Sequence, residues 1–181
     1  MRFEDTIIDG THMSPHDWWG AGEGIWLTSI ARTAGSAASA EVGPVSNIYY
    51  KNVTVRRSEG TVLISSRTST PIKNVTLDGV KVTIGQWMPR RPGIAYEEHV
   101  HDYRPGPPGA EEFSCDDSAD GPCDGIYFRN VEGASVVGGS GVTFVGDRKA
   151  NAWWGACIGH DASSSDVDVE ADFGCEYAAH F

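Results

Sequence analysis

Two carboxylates and two tryptophans lie close together near the start of the chain, in the run His16-Asp17-Trp18-Trp19-Gly-Ala-Gly-Glu23. Sugar rings stack on flat indole faces, and glycoside cleavage needs two carboxyl groups at the scissile bond. We therefore predict that Asp17 and Glu23 are catalytic and that His16, Trp18 and Trp19 contact a sugar. The alternative is that one tryptophan packs against the body of the domain and that Glu23 is a surface carboxylate.

A second stretch combines a base, an acid and a cation, supplied by His101, Asp102 and Arg104. Arg104 would bind a carboxylate or sugar hydroxyls, while Asp102 would orient His101. We predict that all three bind substrate. A salt bridge that fixes the surrounding loop is an equally good explanation of the same residues.

A second tryptophan pair, Trp153 and Trp154, lies near the end of the chain. The pair would line the same sugar cleft or cover the end of the hydrophobic core, because the open edges of terminal strands must be protected from pairing with other chains. We predict that both contact substrate and that at least one of them also acts as a cap.

Four aspartates, Asp116, Asp117, Asp120 and Asp124, form an acidic cluster. Calcium takes oxygen ligands of this kind, but the spacing does not match a known calcium-binding loop. We therefore predict a solvated acidic loop, with no metal and no other cofactor.

The four cysteines do not have the paired spacing of a structural zinc site. Cys115 and Cys123 flank the acidic loop and would close it as a disulfide in an oxidising compartment. Free thiols explain the sequence nearly as well, and the states of Cys157 and Cys175 are left open.

The overall charge restricts the partners. The chain of 181 residues has a formal net charge of -11, and its 14 basic residues are scattered. Nucleic acid and anionic membrane surfaces repel such a chain, so we predict neither as a partner, and no apolar stretch approaches the length of a membrane span. The same charge disfavours a strongly anionic glycan unless the cleft is locally basic.

A repeated phrase indicates the fold. The stretch Asn47–Val55 returns 27 residues later as Asn74–Val82, and a looser copy begins at Gly125, with Ile126 lying 78 residues after Ile48. Apolar residues alternate within the phrase, as in strands with one buried face, and a fixed period of this size is typical of stacked repeats.

Bends are predicted inside the phrase at Asn52 and at its counterparts Gly79 and Asn130, because Asn and Gly tolerate left-handed backbone angles. Short strands joined at such bends predict an all-β, parallel β-helix. A β-sandwich would show hairpin turns instead of a repeated phrase, and the pattern of leucine-rich repeats is missing.

We predict a single domain over residues 1–181, from which the segment 85–124, with six prolines, departs as a loop insertion. Ser165–Asp172 is predicted as a last, polar strand. The chain opens directly in the strand-like run Phe3–Ile8 with no signal peptide. We therefore expect that N-terminal repeats are missing and that self-association occurs through an exposed end that bares residues such as Ile7.

These phrases resemble a known family. Residues 45–84, VSNIYYKNVTVRRSEGTVLISSRTSTPIKNVTLDGVKVTI, resemble the polygalacturonase-like, family 28-type glycoside hydrolases of the pectin-lyase fold. Trp18–Ile30, His101–Pro105 and Asn151–Ile158 resemble its uncharacterised bacterial branch. The resemblance covers about residues 2–173 and implies a right-handed parallel β-helix, acid/base hydrolysis of a plant-type or microbial polysaccharide, and an extracellular or periplasmic location.

The chain departs from that family at its catalytic motifs. The family's Asn-x-Asp, paired Asp, Gly-His-Gly and Arg-x-Lys motifs are not matched here, since Asp116-Asp117 lies outside any predicted strand and His160 stands in Ile-Gly-His-Asp. These motifs would lie upstream, or this branch would use a different site. Two rival functions follow, a non-catalytic carbohydrate-binding or adhesive β-helix and a polysaccharide lyase, and the negative charge disfavours the lyase.

Overall fold

The computed structural model describes residues 1–9, 24–29, 43–58, 62–66, 68–85, 124–145 and 156–178. These residues form fourteen β-strands and no helix, so the predicted all-β class is confirmed. The strands are β1 (Arg2–Glu4), β2 (Ile7–Asp9), β3 (Trp26–Ser29), β4 (Ser46–Lys51), β5 (Thr54–Ser58), β6 (Val62–Ser66), β7 (Ile72–Asp78), β8 (Lys81–Gly85), β9 (Ile126–Arg129), β10 (Val131–Val137), β11 (Gly141–Val145), β12 (Ile158–His160), β13 (Ser165–Val169) and β14 (Gly174–Ala178).

Every third strand of the chain belongs to the same sheet. The first sheet has the order β1-β4-β7-β10-β13, the second β2-β5-β8-β11-β14 and the third β3-β6-β9-β12, and all paired strands are parallel. Three successive strands, one in each sheet, therefore form a repeat unit, and each unit lies directly on the next. Among the described strands, parallel pairing between units leaves edges open only at the two ends of the stack.

The core lies between the three sheets. One cluster of buried side chains takes members from all of them, including Ile48 in the first sheet, Val55 in the second and Phe128 in the third. In strands such as β4 and β9, alternate residues are buried in the cluster, which is the period of an extended backbone. The inward alternation predicted for Ile48, Tyr50, Val53 and Val55 is confirmed, because all four are buried.

Bends with a left-handed backbone connect the first and second sheets. The predicted bends at Asn52 and Gly79 are confirmed by positive φ angles of 50° and 65°. Asp5 and Gly138 occupy the same place in neighbouring units, with φ of 48° and 66°. The Asn52 amide donates a hydrogen bond to Asp5 Oδ1 at 3.0 Å, so a side-chain hydrogen bond joins the first two units at this corner in addition to the backbone pairing.

The prediction that the phrase beginning at Gly125 is a third copy in the same register is wrong. The 27-residue shift is confirmed, since Ile48 lies in register with Val75. Ile126, however, pairs with Val62 in the third sheet. In the first sheet, the residue of the next unit that pairs with Val75 is Ala134. Asn130 has a positive φ of 50°, as predicted, but it lies where the third sheet passes to the first, and Gly138 is the true counterpart of Asn52.

The end of the chain contains one more strand than predicted. The polar strand predicted over Ser165–Asp172 is β13, which ends at Val169, and β14 follows at Gly174–Ala178. Phe3–Ile8 likewise divides into β1 and β2 at Asp5. β14 was missed because most of its residues are exposed or polar, although Tyr177 stacks on Phe144 with ring centroids 5.1 Å apart.

A second column of left-handed residues lies within the first sheet and provides a test of the fold. Asn47, Asn74, Gly133 and Asp166 have positive φ and share one register position. The Asn74 amide donates to Asn47 Oδ1 at 3.2 Å.

We expect Asn74→Ala to lower the free energy of unfolding by about 1 kcal/mol, because alanine resists the left-handed region and loses the amide bond. Asn74→Gly is the matched control and should change stability by roughly 0.5 kcal/mol or less, since the next unit already has Gly133 there. The measurement is urea unfolding of both variants. Equal losses from Ala and Gly would contradict the backbone explanation.

Candidate functional site at the third sheet

All ten residues predicted for the sugar site lie outside the described residues. They are Asp17 and Glu23 as catalytic candidates and His16, Trp18, Trp19, His101, Asp102, Arg104, Trp153 and Trp154 as substrate contacts. The segments that contain them are 10–23, 86–123 and 146–155. The strands before and after each segment are described, so the sheets that each segment connects are known.

The three segments share one type of connection. Each begins where a strand of the second sheet ends, at β2, β8 or β11, and each is followed by a strand of the third sheet, β3, β9 or β12. The residues that begin the third-sheet strands lie directly on one another. Leu63 N–H donates to Ile25 O at 3.1 Å, Val62 N–H to Gly125 O at 2.9 Å, and Gly125 N–H to Ala156 O at 2.9 Å.

We call this row of strand beginnings the entry edge of the third sheet, comprising Gly24–Ile25, Val62, Asp124–Gly125 and Ala156–Cys157. Neighbouring strands in a sheet are about 4.8 Å apart, so the entry positions of β3 and β12 are separated by about 15 Å. Each of the three undescribed segments that contain the predicted sugar-site residues is thus followed along the chain by a strand that begins on this edge. Sequence position alone did not reveal this, because the three segments are far apart along the chain.

Asp124 lies on the entry edge and is held in place by the next unit. Its Oδ1 accepts a hydrogen bond from the Ala156 N–H at 2.7 Å. Its Oδ2 occupies the space beside Gly159 that the Cβ of any larger residue would fill. The side chain is half-buried, and burial raises the pKa of the Asp124 carboxyl, although the Ala156 N–H offsets part of the rise. Asp124 is therefore half-buried and hydrogen-bonded, while the other three aspartates of the predicted acidic loop lie outside the described residues.

Tyr127 is the aromatic neighbour of Asp124 on the outer face of the third sheet. It lies in register with Leu63 on one side and Gly159 on the other. A Cβ on Gly159 would lie 3.2 Å from Tyr127 Cδ2, so the glycine leaves room along the edge of the ring. Tyr127 is half-buried, and its chain neighbours Ile126 and Phe128 belong to the core.

The outer face of the third sheet is shielded from solvent at its centre. Leu63 and Ser65 are 6% and 2% exposed, although neither belongs to the core cluster. On the first sheet, by contrast, the outward Lys73 and Glu132 are exposed enough that their ion pair, 2.7 Å long, lies in solvent. The outer face of the third sheet is therefore covered at Leu63 and Ser65, whereas the outer face of the first sheet is open to solvent at Lys73 and Glu132.

Asp161 directly follows the last residue of β12, whereas Asp124 contacts the chain just before that strand begins. Burial by itself would raise the pKa of Asp161, but hydrogen bonds from Ser163, the Asn130 backbone and Ser164, helped by the charge of Arg129, hold the pKa below its ordinary value. Asp161 accepts from the Asn130 N–H at 3.1 Å and from Ser164 Oγ at 2.9 Å. Its contacts are those of a residue that fixes the turn into β13.

The cysteines divide between described and undescribed parts of the chain. Cys157, on the entry edge, forms a disulfide with Cys175 of β14, with their Cα atoms 5.8 Å apart. Cys157 and Cys175, whose redox state the sequence left open, are therefore disulfide-bonded to each other. Cys115 and Cys123 lie outside the described residues.

No group of three or more metal-ligating side chains occurs among the described residues, and the described part contains no helix that would span a membrane. Comparisons of the chain with protein-family models, with curated proteins and with solved structures found no match.

Proposed function

We propose that the three-sheet stack is a segment of a right-handed parallel β-helix of the pectin-lyase type. Successive strands visit the three sheets in a fixed cycle around one core, as the coils of such a helix do. Crossovers between parallel strands of one sheet are right-handed in about 98% of cases, which supports the same hand here.

On this fold we propose a carbohydrate-directed protein of the glycoside hydrolase class, acting on a plant-type or microbial polysaccharide. The observation that carries the proposal is the shared entry edge, because every segment that contains a predicted sugar-site residue joins the third sheet there. Tyr127 and Asp124 add an aromatic face and a carboxylate on the described part of that edge. Stacking with hydrogen bonding to fixed polar groups is how concave sites hold sugars.

The proposed chemistry is acid/base hydrolysis by Asp17 and Glu23. One carboxyl group protonates the leaving oxygen while the other activates water or attacks the anomeric carbon, and the distance between the two decides which. Trp18, Trp19, Trp153 and Trp154 would supply stacking faces. Asp124 would accept hydrogen bonds from sugar hydroxyls, because its geometry is fixed by Ala156 and Gly159.

The first experiment measures glycan binding by titration with soluble oligosaccharides of xylose, glucose, mannose and galacturonic acid. We expect at least one of Trp18→Ala and Trp19→Ala to weaken binding by about 1 kcal/mol, roughly fivefold. Tyr49→Ala is the matched aromatic control, because Tyr49 lies on the outer face of the first sheet and donates to Asp78 Oδ2 at 2.6 Å. Failure of every glycan to bind would exclude the carbohydrate role.

Hydrolysis is tested separately by release of reducing ends. We do not expect the chain by itself to cleave polygalacturonate, since the family's acid and base motifs are not matched. Release from any polysaccharide that disappears in Asp17→Ala or Glu23→Ala, but survives in the exposed control Glu176→Gln, would locate the catalytic centre on this chain. Glycan binding with no hydrolysis would instead identify a carbohydrate-binding domain and contradict the hydrolase assignment.

A further inference from the structure

The two ends of the stack differ in the side chains and the backbone groups that they expose. We propose that two copies of the chain join at the first unit, through antiparallel pairing of β1 with β1 of the second copy, and that the last unit is protected against such pairing. The proposal is independent of the carbohydrate function. It specifies the end, the partner and the geometry of the self-association that the sequence predicts.

Exposed apolar side chains concentrate at the ends of the stack. In the described ranges, all the exposed large apolar side chains belong to the first unit or to the last, and they are Met1, Phe3, Ile7, Val169 and Tyr177. Three of them lie within the first nine residues, where Met1 is 71% and Ile7 61% exposed. Clustered apolar surface of this kind marks an interaction site on a folded chain. The first unit is therefore the more apolar of the two ends.

The backbone of β1 has one paired side and one open side. Tyr49 N–H donates to Met1 O at 2.9 Å, and Asp5 N–H donates to Lys51 O at 3.0 Å. The odd-numbered residues of β1 thus direct their backbone groups to β4, and the even-numbered Arg2 and Glu4 direct theirs to the opposite edge. Among the described strands, β1 pairs only with β4. An edge of this kind is a template for a further strand.

The open edge of β1 fits an antiparallel copy of itself. When two β1 strands are centred on Phe3, Arg2 of each copy lies opposite Glu4 of the other. These are the residues whose backbone groups face the edge, so each opposed pair can exchange two N–H···O=C bonds. The two Phe3 residues then form the close, non-hydrogen-bonded pair at the centre. The Phe3 ring is held in place beforehand, because it stacks on Tyr50 with ring centroids 4.8 Å apart.

The charges of β1 favour the same arrangement. Arg2 and Glu4 lie on one face of the strand, since their side chains form an ion pair 2.6 Å long. In the symmetric pairing, Arg2 of each copy meets Glu4 of the other, so that positive and negative groups alternate across the joint. Opposite charges directly across a strand pair are stabilising, and like charges are destabilising.

The last unit is unsuited to pairing with either end. Residues 165–178 contain no lysine or arginine and five acidic side chains, Asp166, Asp168, Glu170, Asp172 and Glu176. Two last units face to face would oppose five carboxylates to five. A head-to-tail stack in the register of the first sheet would place Asp168 over Arg2, but it would also place Glu170 over Glu4. Charged side chains on an edge strand protect it from pairing. Association therefore closes at two copies, as a two-fold interface does.

The experiment measures association of the whole chain by sedimentation velocity, at concentrations up to about 0.5 mM because small interfaces associate weakly. We expect an equilibrium between a single chain and a dimer, with no larger species. Arg2→Glu and Glu4→Arg, tested separately, each bring like charges into opposition and should weaken the dimer at least about tenfold. An equimolar mixture of these two variants restores opposite charges at both pairs and should form the dimer as tightly as the unsubstituted chain.

Asp168→Arg is the control, a charge reversal at an exposed position of the last unit. It should leave the dimer unchanged, whereas a head-to-tail stack would lose its contact with Arg2. A thermal melt checks that every variant is folded, which is expected because the Arg2–Glu4 ion pair is exposed and contributes little stability. A chain that stays single at every concentration, species larger than a dimer, weakening by Asp168→Arg, or no recovery in the mixture would each overturn the proposal.

Discussion

Phe128→Ala is expected to lower the free energy of unfolding by about 3–5 kcal/mol, the range found for large aromatic side chains removed from a close-packed core. Phe128 is 0% exposed and is among the largest fully buried side chains of the described residues. It lies in register with Ile64 of the unit below, which is also 0% exposed. The cavity would therefore open between stacked units, where rigid strands on all sides limit collapse. Urea unfolding followed by circular dichroism measures the loss.

Tyr127→Ala is the matched control, because Tyr127 precedes Phe128 on the same strand and points to the opposite face. We expect it to cost less than half as much stability as Phe128→Ala and to weaken glycan binding roughly fivefold, about 1 kcal/mol. Equal losses of stability in both variants, with glycan binding unchanged in Tyr127→Ala, would mean that the outer face of the third sheet is structural.

Local patterns in the sequence predicted the strands and their bends well. Alternation of apolar residues in Ile48–Val55 is a direct consequence of the two-residue period of extended chains, so burial follows from the residues themselves. Positive φ angles at Asn52, Gly79 and Asn130 follow from the tolerance of these residue types for left-handed backbone. Both properties depend on a few neighbouring residues.

Assignment of strands to sheets was less successful, because it depends on long-range pairing. The phrase around Ile126 resembles that around Ile48, yet it belongs to a different sheet. Strands buried on one face have similar sequences in all three sheets, so resemblance between phrases does not identify the sheet. The insertion of variable segments between units also removes any fixed period that would have revealed the error.

The candidate site shows the same division between local and long-range information. Residue chemistry selected Asp17, Trp18 and their counterparts, and no described contact tests that selection. Asp124 was assigned to an acidic loop, because only the structure shows Gly159 and the Ala156 N–H beside its carboxylate. The adjacent Gly125-Ile-Tyr-Phe strand was the available signal, since a residue immediately before a buried strand is held more firmly than one within a loop.

Removing the Cys157–Cys175 disulfide is expected to lower the free energy of unfolding by about 3 kcal/mol. The two cysteines are separated by 18 residues, and closing a loop of that size restricts the unfolded chain by roughly this amount. The variant is Cys157→Ala with Cys175→Ala, since alanine avoids a buried hydroxyl at Cys157, which is 5% exposed. Reduction of the wild-type chain should lower the free energy of unfolding by the same amount. The same reductant applied to the double variant shows any effect of the remaining cysteines, Cys115 and Cys123.

The position of the bond predicts which part of the molecule opens first. Cys175 lies in register with Val142, and a Cβ on Gly125, next to Cys157 in the stack, would come within 2.6 Å of the same valine. The disulfide therefore crosses the end of the core and ties the third sheet to the second.

Among the described strands, β12 pairs only with β9 and β14 only with β11, so each depends on one neighbour once the bond is gone. Amide hydrogen exchange should then lose more protection in β12 and β14 than in β8 and β11, because local opening requires less free energy than global unfolding. A loss of protection in β12 and β14 that is no larger than in β8 and β11 would contradict this description of the bond as a clamp on these two strands.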